Sequence, residues 1–457
     1  MPPLLLCALL GLSGPARPAA PPPFATVPHV QPWTPADGDP TTPAAAPGRG
    51  ARPARREVGP RDGIATADSL VAAWVDTGRI PGAVLRISRE GRLLHERAYG
   101  QAQRAVYRDG AYGAAQDGRS AVEHEPLATP LPMTADAVFD LASVTKVMAT
   151  TFALMLLVDE GAVGLDRPVS TWLPDFTGGG RERITPRHLL THRSGLPQWW
   201  PVYYHAGDPE AAWAWVRSVP LTGSPGAERR YSDLGFMVLG RLVEAVGGAR
   251  LDRFLEGRLY GPLGLSTTGF RPARGPQPEG QRTVVATSHG NPYEHRMVHD
   301  TAFGYRIAGD PDAWSGWRRY TLVGEVNDGN AFHAWGGVAG HAGLFSSAAD
   351  LDVLLQLLLD GGRSGQTRWI AESTVRAFLS PGPEGQALGW QVPEGLPPGS
   401  FAHTGFTGTW VLGVPAQRLS VVLLTNRQHG GVDADGRYPD VGPLQQAVTR
   451  ALLEGGT

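Results

Sequence analysis

The chain has 457 residues, 42% of them hydrophobic and 18% charged, with a formal net charge of −2. That length can bury a large core, and so balanced a charge gives neither nucleic acid nor an anionic membrane a reason to bind. The only cysteine, Cys7, excludes an intramolecular disulfide, a cysteine nucleophile and a cysteine zinc cluster in the body, though export stays compatible because a large core needs no disulfide staples.

Residues 1–20 (MPPLLLCALLGLSGPARPAA) place a short apolar run ahead of small residues, the pattern of a signal peptide without its basic start. The run Leu4 to Leu12 is too short to span a bilayer, so no stable membrane insertion is expected, and whether the start is cleaved or lipidated at Cys7, which only six residues precede, stays open. An exported protein, periplasmic or extracellular, is the expectation. Residues 21–62 are dominated by Pro, Ala, Gly and Arg and read as an extended linker. The folded body is then expected over 63–457, with Ala67-Asp68-Ser69 capping a helix that carries Leu70, Val71, Trp74 and Val75.

Gly82–Ile87 and Leu93–Ala98 predict two strands of a hairpin around Arg89-Glu90-Gly91. Val147–Val158 is apolar nearly all round and predicts a central buried helix, with Gly161 as its C-cap. Helices are predicted at Pro186–Leu190, Pro209–Val216, Leu234–Val246, Leu251–Tyr260, 346–359 and near 443–454, and strands at Thr409–Val414 and Ser420–Thr425. The order predicts an α+β fold: an antiparallel sheet built from both chain ends and flanked by helices, with an inserted, mostly helical part. The division expected is an α/β part of 63–142 and 335–457 around a helical part of 143–334.

Ser143-Val144-Thr145-Lys146 opens the buried helix. Residues three apart share a helix face, so the lysine amine can reach the serine hydroxyl. A serine hydroxyl needs such a partner to act as a nucleophile, and a helix N-terminus offers N–H groups to a developing oxyanion. Two further elements follow: Tyr231-Ser232-Asp233 on a loop entering a helix, and His403-Thr404-Gly405 leading into a strand.

With these three motifs in order, the chain resembles the serine β-lactamase and penicillin-binding protein family of the class C type, which includes D-alanyl-D-alanine carboxypeptidases and esterases. The stretches 184–197, 262–265 and 336–346 support the resemblance, which covers about residues 66–455. It implies the β-lactamase/transpeptidase-like fold and acyl hydrolysis without a cofactor. Ser143 would attack the carbonyl, Lys146 would take or relay its proton, and Tyr231 would share that work. The N–H groups of Ser143 and Phe406 would form the oxyanion hole. Asp233, His403, Thr404, Gly405 and Phe406 would meet a small-molecule or peptidoglycan-derived substrate. Which of Lys146 and Tyr231 is the base stays open, as does the oligomeric state.

Three positions depart from the family pattern. Asp233 stands where many relatives have Asn, and is expected either to pair with Lys146 or to stay protonated. His403 replaces a lysine, which leans toward a peptidase or esterase rather than a true β-lactamase. Phe406 puts a bulky ring at the oxyanion corner. His188, His192 and His341 are read as hydrogen-bonding residues rather than metal ligands, and Trp199, Trp200, Trp213 and Trp215 as packing. The segment around 291–322, which holds Asp300, is read as an additional loop and more sharply as a lid; Asp328 follows it on the approach to the glycine-rich run. The alternative function is a catalytically silent penicillin-binding or sensory module of the cell envelope.

Overall fold

Helix α1 (Pro60–Asp76) leads into an antiparallel hairpin of β1 (Gly82–Arg89) and β2 (Arg92–Val106). The hairpin turns with positive φ at both Glu90 (55°) and Gly91 (74°), the geometry whose twist matches the flanking strands. The computed structural model describes residues 60–107, 125–270, 282–303, 305, 310–433 and 436–454. The apolar run at 4–12, Cys7 and the expected linker up to residue 59 lie outside the described residues.

β3 (Glu125–Pro132) extends the hairpin on one side. Three strands from the far end of the chain, β4 (Phe401–Thr404), β5 (Trp410–Val414) and β6 (Leu419–Thr425), complete a six-stranded sheet in the order β4-β5-β6-β1-β2-β3. Every pairing is antiparallel, and β1 meets β6 with Ala83 opposite Thr425. Among the helices that build the rest are α2 (Phe152–Asp159), α3 (Asp233–Gly247), α4 (Pro292–His299), α5 (Ala348–Leu359) and α6 (Gly442–Glu454), with further helices at Pro209–Val216 and Glu372–Leu379 and shorter turns between them.

Strand alternation divides the sheet between two cores. Ala83, Leu85, Ile87, Val421 and Leu423 pack with Ala67 and Val71 of α1 and with Leu444, Val448 and Leu452 of α6. Val84, Val422 and Leu424 turn to the opposite face, into the large core built on α2, α3 and α5. On that face Asp352 of α5 is buried and accepts from Arg86 Nε at 2.9 Å, Ser88 Oγ at 2.6 Å and Ser420 Oγ at 2.5 Å. One carboxylate thus ties a helix to β1 and β6. Asp352→Ala leaves a guanidinium and two hydroxyls without that acceptor and should cost about 3 to 5 kcal/mol, read as a lower urea midpoint at unchanged slope.

Two local expectations are corrected. α1 begins at Pro60, three residues inside the predicted linker, and Asp68 lies within it rather than capping it. The Asp68 carboxylate accepts instead from Tyr99 Oη at 2.6 Å and Arg97 Nη1 at 2.8 Å, joining α1 to β2. The buried helix is also irregular: Ala142–Val144 is a 3-10 turn and Lys146–Thr151 winds in wider π-type turns before α2. Thr151 Oγ1 donates to the Lys146 carbonyl at 2.8 Å and Thr150 Oγ1 to the Gly340 carbonyl at 2.6 Å, and such hydroxyls compete for helix carbonyls. Wide turns of this kind occur often beside functional residues. A short sheet of Phe139–Asp140, Leu344–Ser346 and Gly269–Phe270 then brings the glycine-rich run against the Ser143 turn.

Candidate active site

Ser143 sits on a tight corner between a strand and a helix. Its neighbour Ala142 has φ of 45°, uncommon for a residue with a Cβ, and the Ala142 N–H donates to Asp140 Oδ1 at 2.9 Å. Asp140 is buried and also accepts from the Asn327 N–H at 2.6 Å; burial pushes its pKa up to about 6 despite these donors. The loop after β4 clamps the same corner, with Thr407 Oγ1 donating to the Asp140 carbonyl at 2.8 Å and Thr409 Oγ1 to the Leu141 carbonyl at 2.9 Å. Gly405 is required by this approach, since a Cβ there would lie 2.1 Å from Thr409 Oγ1 and 2.4 Å from the Leu141 oxygen.

Lys146, one turn on, is completely buried, and its Nζ lies 2.9 Å from Ser143 Oγ. The same nitrogen is 2.6 Å from Asp233 Oδ1 and 3.3 Å from the His341 carbonyl oxygen. Burial disfavours the ammonium, but Asp233 and then Tyr231 outweigh it and hold the amine above its ordinary range. Of the two expectations for Asp233, pairing with Lys146 is the one found.

Tyr231 reaches Ser143 and Lys146 through hydrogen bonds of its hydroxyl, and the Lys146 nitrogen lies 4.9 Å from its ring centre. Burial pushes the phenol up, Lys146 pulls it down and Asp233 pushes it up again, leaving it above its ordinary range. His192 places this motif: its Nδ1 accepts from the Ser232 N–H at 3.1 Å, and its ring packs 4.4 Å from Tyr231. Its own backbone is left-handed (φ 57°), and burial keeps the imidazole neutral. Ser232 caps α3 by accepting from the Gly235 N–H at 3.1 Å, while its hydroxyl donates to the Pro197 carbonyl at 2.6 Å.

The other predicted histidines are engaged as well. His188 completes a capping box with Thr185, and His341 Nε2 lies 2.9 Å from Asp328 Oδ1. His403 is 1% exposed, and its Nδ1 is 2.8 Å from the Thr404 carbonyl. Burial, with Lys146 nearby, pulls its pKa down to about 3, so the ring is neutral. Its ring centre lies 6.5 Å from that of Tyr231. His403 is thus turned inward by the strand, which was missed in the sequence as an element of its own, while Thr404 beside it is half-buried and Gly405 is buried against the Ser143 corner.

A cavity of about 330 Å3 opens over Ser143 and is lined by Tyr231, Asp233 and Phe406 among the predicted residues. The Phe406 carbonyl accepts from Arg427 Nε at 3.0 Å and Gln428 Nε2 at 3.1 Å, which fixes the peptide beside Ser143. The segment at 291–322 supplies a whole wall through Tyr293, Glu294 and Met297 of α4 and through Phe303 and Tyr305. Burial pushes the Glu294 carboxyl up to about 8, although its Oε1 accepts from the Gly329 N–H at 2.8 Å. Trp199 also lines the cavity, against Tyr305 at 4.9 Å between ring centres, whereas Trp200 and Trp213 are core residues as expected.

Glu294 and the aromatic wall were not foreseen, because nothing local in the sequence tells a wall from a loop. For Lys146 a further sequence signal exists: it is the only lysine in 457 residues, all the rest of the 41 Lys and Arg residues being arginine. A lone lysine, wholly buried, is not there as a solvated surface charge.

Comparison with known proteins agrees with this architecture. The β-lactamase family model matches residues 67–444. The chain is 30% identical over 400 residues to a protein of Escherichia coli (strain K12) named "Putative D-alanyl-D-alanine carboxypeptidase", covering 82% of this chain and 84% of that one. It is 32% identical over 401 residues to the N-acetylmuramyl-L-alanine amidase of Bacillus subtilis (strain 168), covering 82% and 83%. Among solved structures, a class C β-lactamase superposes with a TM-score of 0.59 at 17% identity, covering 86% of this chain and 95% of that one. EstCE1, a hydrolase with promiscuous acyltransferase activity, gives 0.57 at 23% identity, covering 86% and 99%. These two likenesses bear on the fold alone. By the family match and the extent of its relatives, the chain belongs to the β-lactamase family, serine hydrolases of the β-lactamase/transpeptidase-like fold.

Proposed function

We propose that the protein hydrolyses an amide or ester through an acyl-enzyme on Ser143, with a D-alanyl-D-alanine carboxypeptidase-like or esterase activity outside the cytoplasm. The observation that carries this reading is the 2.9 Å approach of a buried lysine nitrogen to a serine hydroxyl at the floor of an open cavity. Ser143 Oγ attacks the carbonyl carbon, and the oxyanion is held by the N–H groups of Ser143 and Phe406. The leaving group departs with a proton relayed through the Lys146–Tyr231 pair, and a water molecule releases the acyl group by the same route. Export is supported by the apolar start of the chain and by the cell-wall substrates in the relatives' names.

Hydrolysis of p-nitrophenyl butyrate, and release of D-alanine from a peptide ending in D-alanyl-D-alanine, test this directly. Turnover of either supports it. Inactivity on both, with no covalent adduct from a penicillin, sinks it.

The cavity also forecasts which acyl groups it accepts. Asp233, Glu294 and Asp328 line it together with aromatic rings, and no lysine or arginine is among the described lining residues. An anionic acyl chain meets no lysine or arginine on these walls and gives up water to aromatic surface, and it is opposed by Asp233 and Asp328 rather than by Glu294, whose pKa of about 8 keeps it neutral below that pH. The p-nitrophenyl ester of butyrate should therefore exceed the p-nitrophenyl half-ester of succinate in kcat/KM by about tenfold or more. Equal values would mean that an anion is received by a cation off these walls, Arg229, which interacts electrostatically with Tyr231, being one to examine.

A further inference from the structure

The cavity over Ser143 joins aromatic rings to carboxyl groups. Tyr293 packs on Phe303 at 5.7 Å and 82° and on Phe406 at 5.1 Å, and Trp199 meets Tyr305 at 4.9 Å and 71°. A ring face left uncovered by stacking attracts a positive charge. Two of the three carboxyl groups on the walls already have a basic partner: Asp233 Oδ1 lies 2.6 Å from Lys146 Nζ, and Asp328 Oδ1 lies 2.9 Å from His341 Nε2. Glu294 has no such partner among the described residues. Its Oε1 accepts from the Gly329 N–H at 2.8 Å, and a Cβ at that glycine would lie 2.4 Å from Oε2, so only glycine leaves the carboxyl its place. Burial first, then Asp328 and Asp233, push this carboxyl up to about 8 against the pull of the Gly329 N–H and Arg318. Tyr203 beside Gly329 stays a neutral phenol. His341 is 1% exposed, and its Nδ1 meets no hydrogen-bond partner among the described residues; with Nε2 donating to Asp328, the neutral ring keeps a lone pair there. The neighbouring arginines are engaged elsewhere. Arg318 donates to the Val326 and Asn327 carbonyls at 2.6 and 2.5 Å, Arg427 to the Phe406 and Pro439 carbonyls at 3.0 and 2.8 Å, and Arg296 lies 3.3 Å from Asp300.

We propose that the cavity receives a substrate whose acyl chain ends in an ammonium, an ω-aminoacyl ester or amide, and that Glu294 is the specificity-determining carboxylate that pairs with this charge among the aromatic rings. The inference deepens the acyl-enzyme reading by naming the class of acyl group, and for turnover it rests on that reading. Without ligand the Glu294 carboxyl is protonated and neutral. An arriving ammonium takes the place of that proton: the proton leaves to solvent, the carboxylate accepts from the ammonium N–H, and the net charge of the cavity is the same before and after. A charge-assisted hydrogen bond made inside a cavity that sheds its water is stronger than one made at a surface, and the ring faces add to it. A neutral chain of the same shape displaces no proton and gains the apolar contacts alone.

The p-nitrophenyl esters of 6-aminohexanoate and heptanoate have the same shape and differ by one ammonium. With each kcat/KM divided by the rate constant for hydroxide hydrolysis of the same ester, the ammonium ester should lead by about tenfold or more near neutral pH. Glu294→Gln should remove most of that lead. Binding is read without turnover by titrating 6-aminohexanamide into the Ser143→Ala protein in a calorimeter, in buffers of different ionisation enthalpy. About one proton should be released for each ligand bound near neutral pH, and none when Glu294→Gln is added. The proton count is taken with Glu294 in place, so it decides even if the glutamine variant does not fold. Esters turned over at equal rates, a lead kept in full by Glu294→Gln, or binding of the amide without proton release would each overturn the proposal. Binding with proton release in a protein that hydrolyses neither ester counts against the hydrolase reading and leaves the ammonium site standing.

Discussion

Ser143→Ala is expected to abolish turnover of p-nitrophenyl butyrate, by at least about a thousandfold, while the melting temperature should stay within about a degree or two of wild type. The first half follows from chemistry: among the described residues no other serine or threonine hydroxyl is hydrogen-bonded to the Lys146 nitrogen, so without Oγ there is no alcohol in place to carry the acyl group. The second half follows from packing. The corner is held by Asp140, Thr407 and Thr409 through the backbone of its neighbours, and the Ser143 side chain takes no part in those bonds. A variant that hydrolyses the ester at the wild-type rate removes Ser143 from the mechanism. Inactivity of both proteins, with a penicillin adduct formed only on the wild type, identifies a module that acylates and does not turn over.

Tyr231→Phe should lower kcat by on the order of a hundredfold or more with little change in KM or stability. The ring, which packs on His192 at 4.4 Å, is retained; what goes is the oxygen bonded to Ser143 and Lys146. Pre-steady-state measurement adds the sharper expectation that acylation slows at least as much as deacylation, since both pass a proton through the same atom. An unchanged burst rate would place the relay elsewhere and leave Tyr231 as packing.

The elements most legible in the sequence are those whose pattern is local. Alternation and the Glu90-Gly91 turn sufficed for the hairpin, and the run Val147–Val158, apolar except for Thr150 and Thr151, sufficed for the central helix. The serine, lysine and tyrosine were legible because their chemistry depends on spacing within a turn or on the entry to a helix. What escaped depends on contacts between distant segments. Asp68 has the residue type of a cap, but Tyr99 and Arg97 make it a tether to β2. His403 has the look of a substrate contact, yet β4 turns it inward to 1% exposure. Glu294 takes its character from a wall that exists only once α4 is docked on the cavity.

Pairing the first strand of the sheet with its last has a consequence for when the site comes into being. β1 finds β6 only after more than three hundred residues have been made, as the pairing of Ala83 with Thr425 requires. The loop that clamps the Ser143 corner belongs to the same late stretch. A nascent chain lacking that stretch can form the hairpin and isolated helical turns but cannot close the sheet over its core. Contacts so far apart in sequence make for slow, late assembly. The Ser143 corner is therefore assembled only once the stretch that carries β4 to β6 has been made, and a chain cut short before β4 carries all three of Ser143, Lys146 and Tyr231 without the means to hold them together.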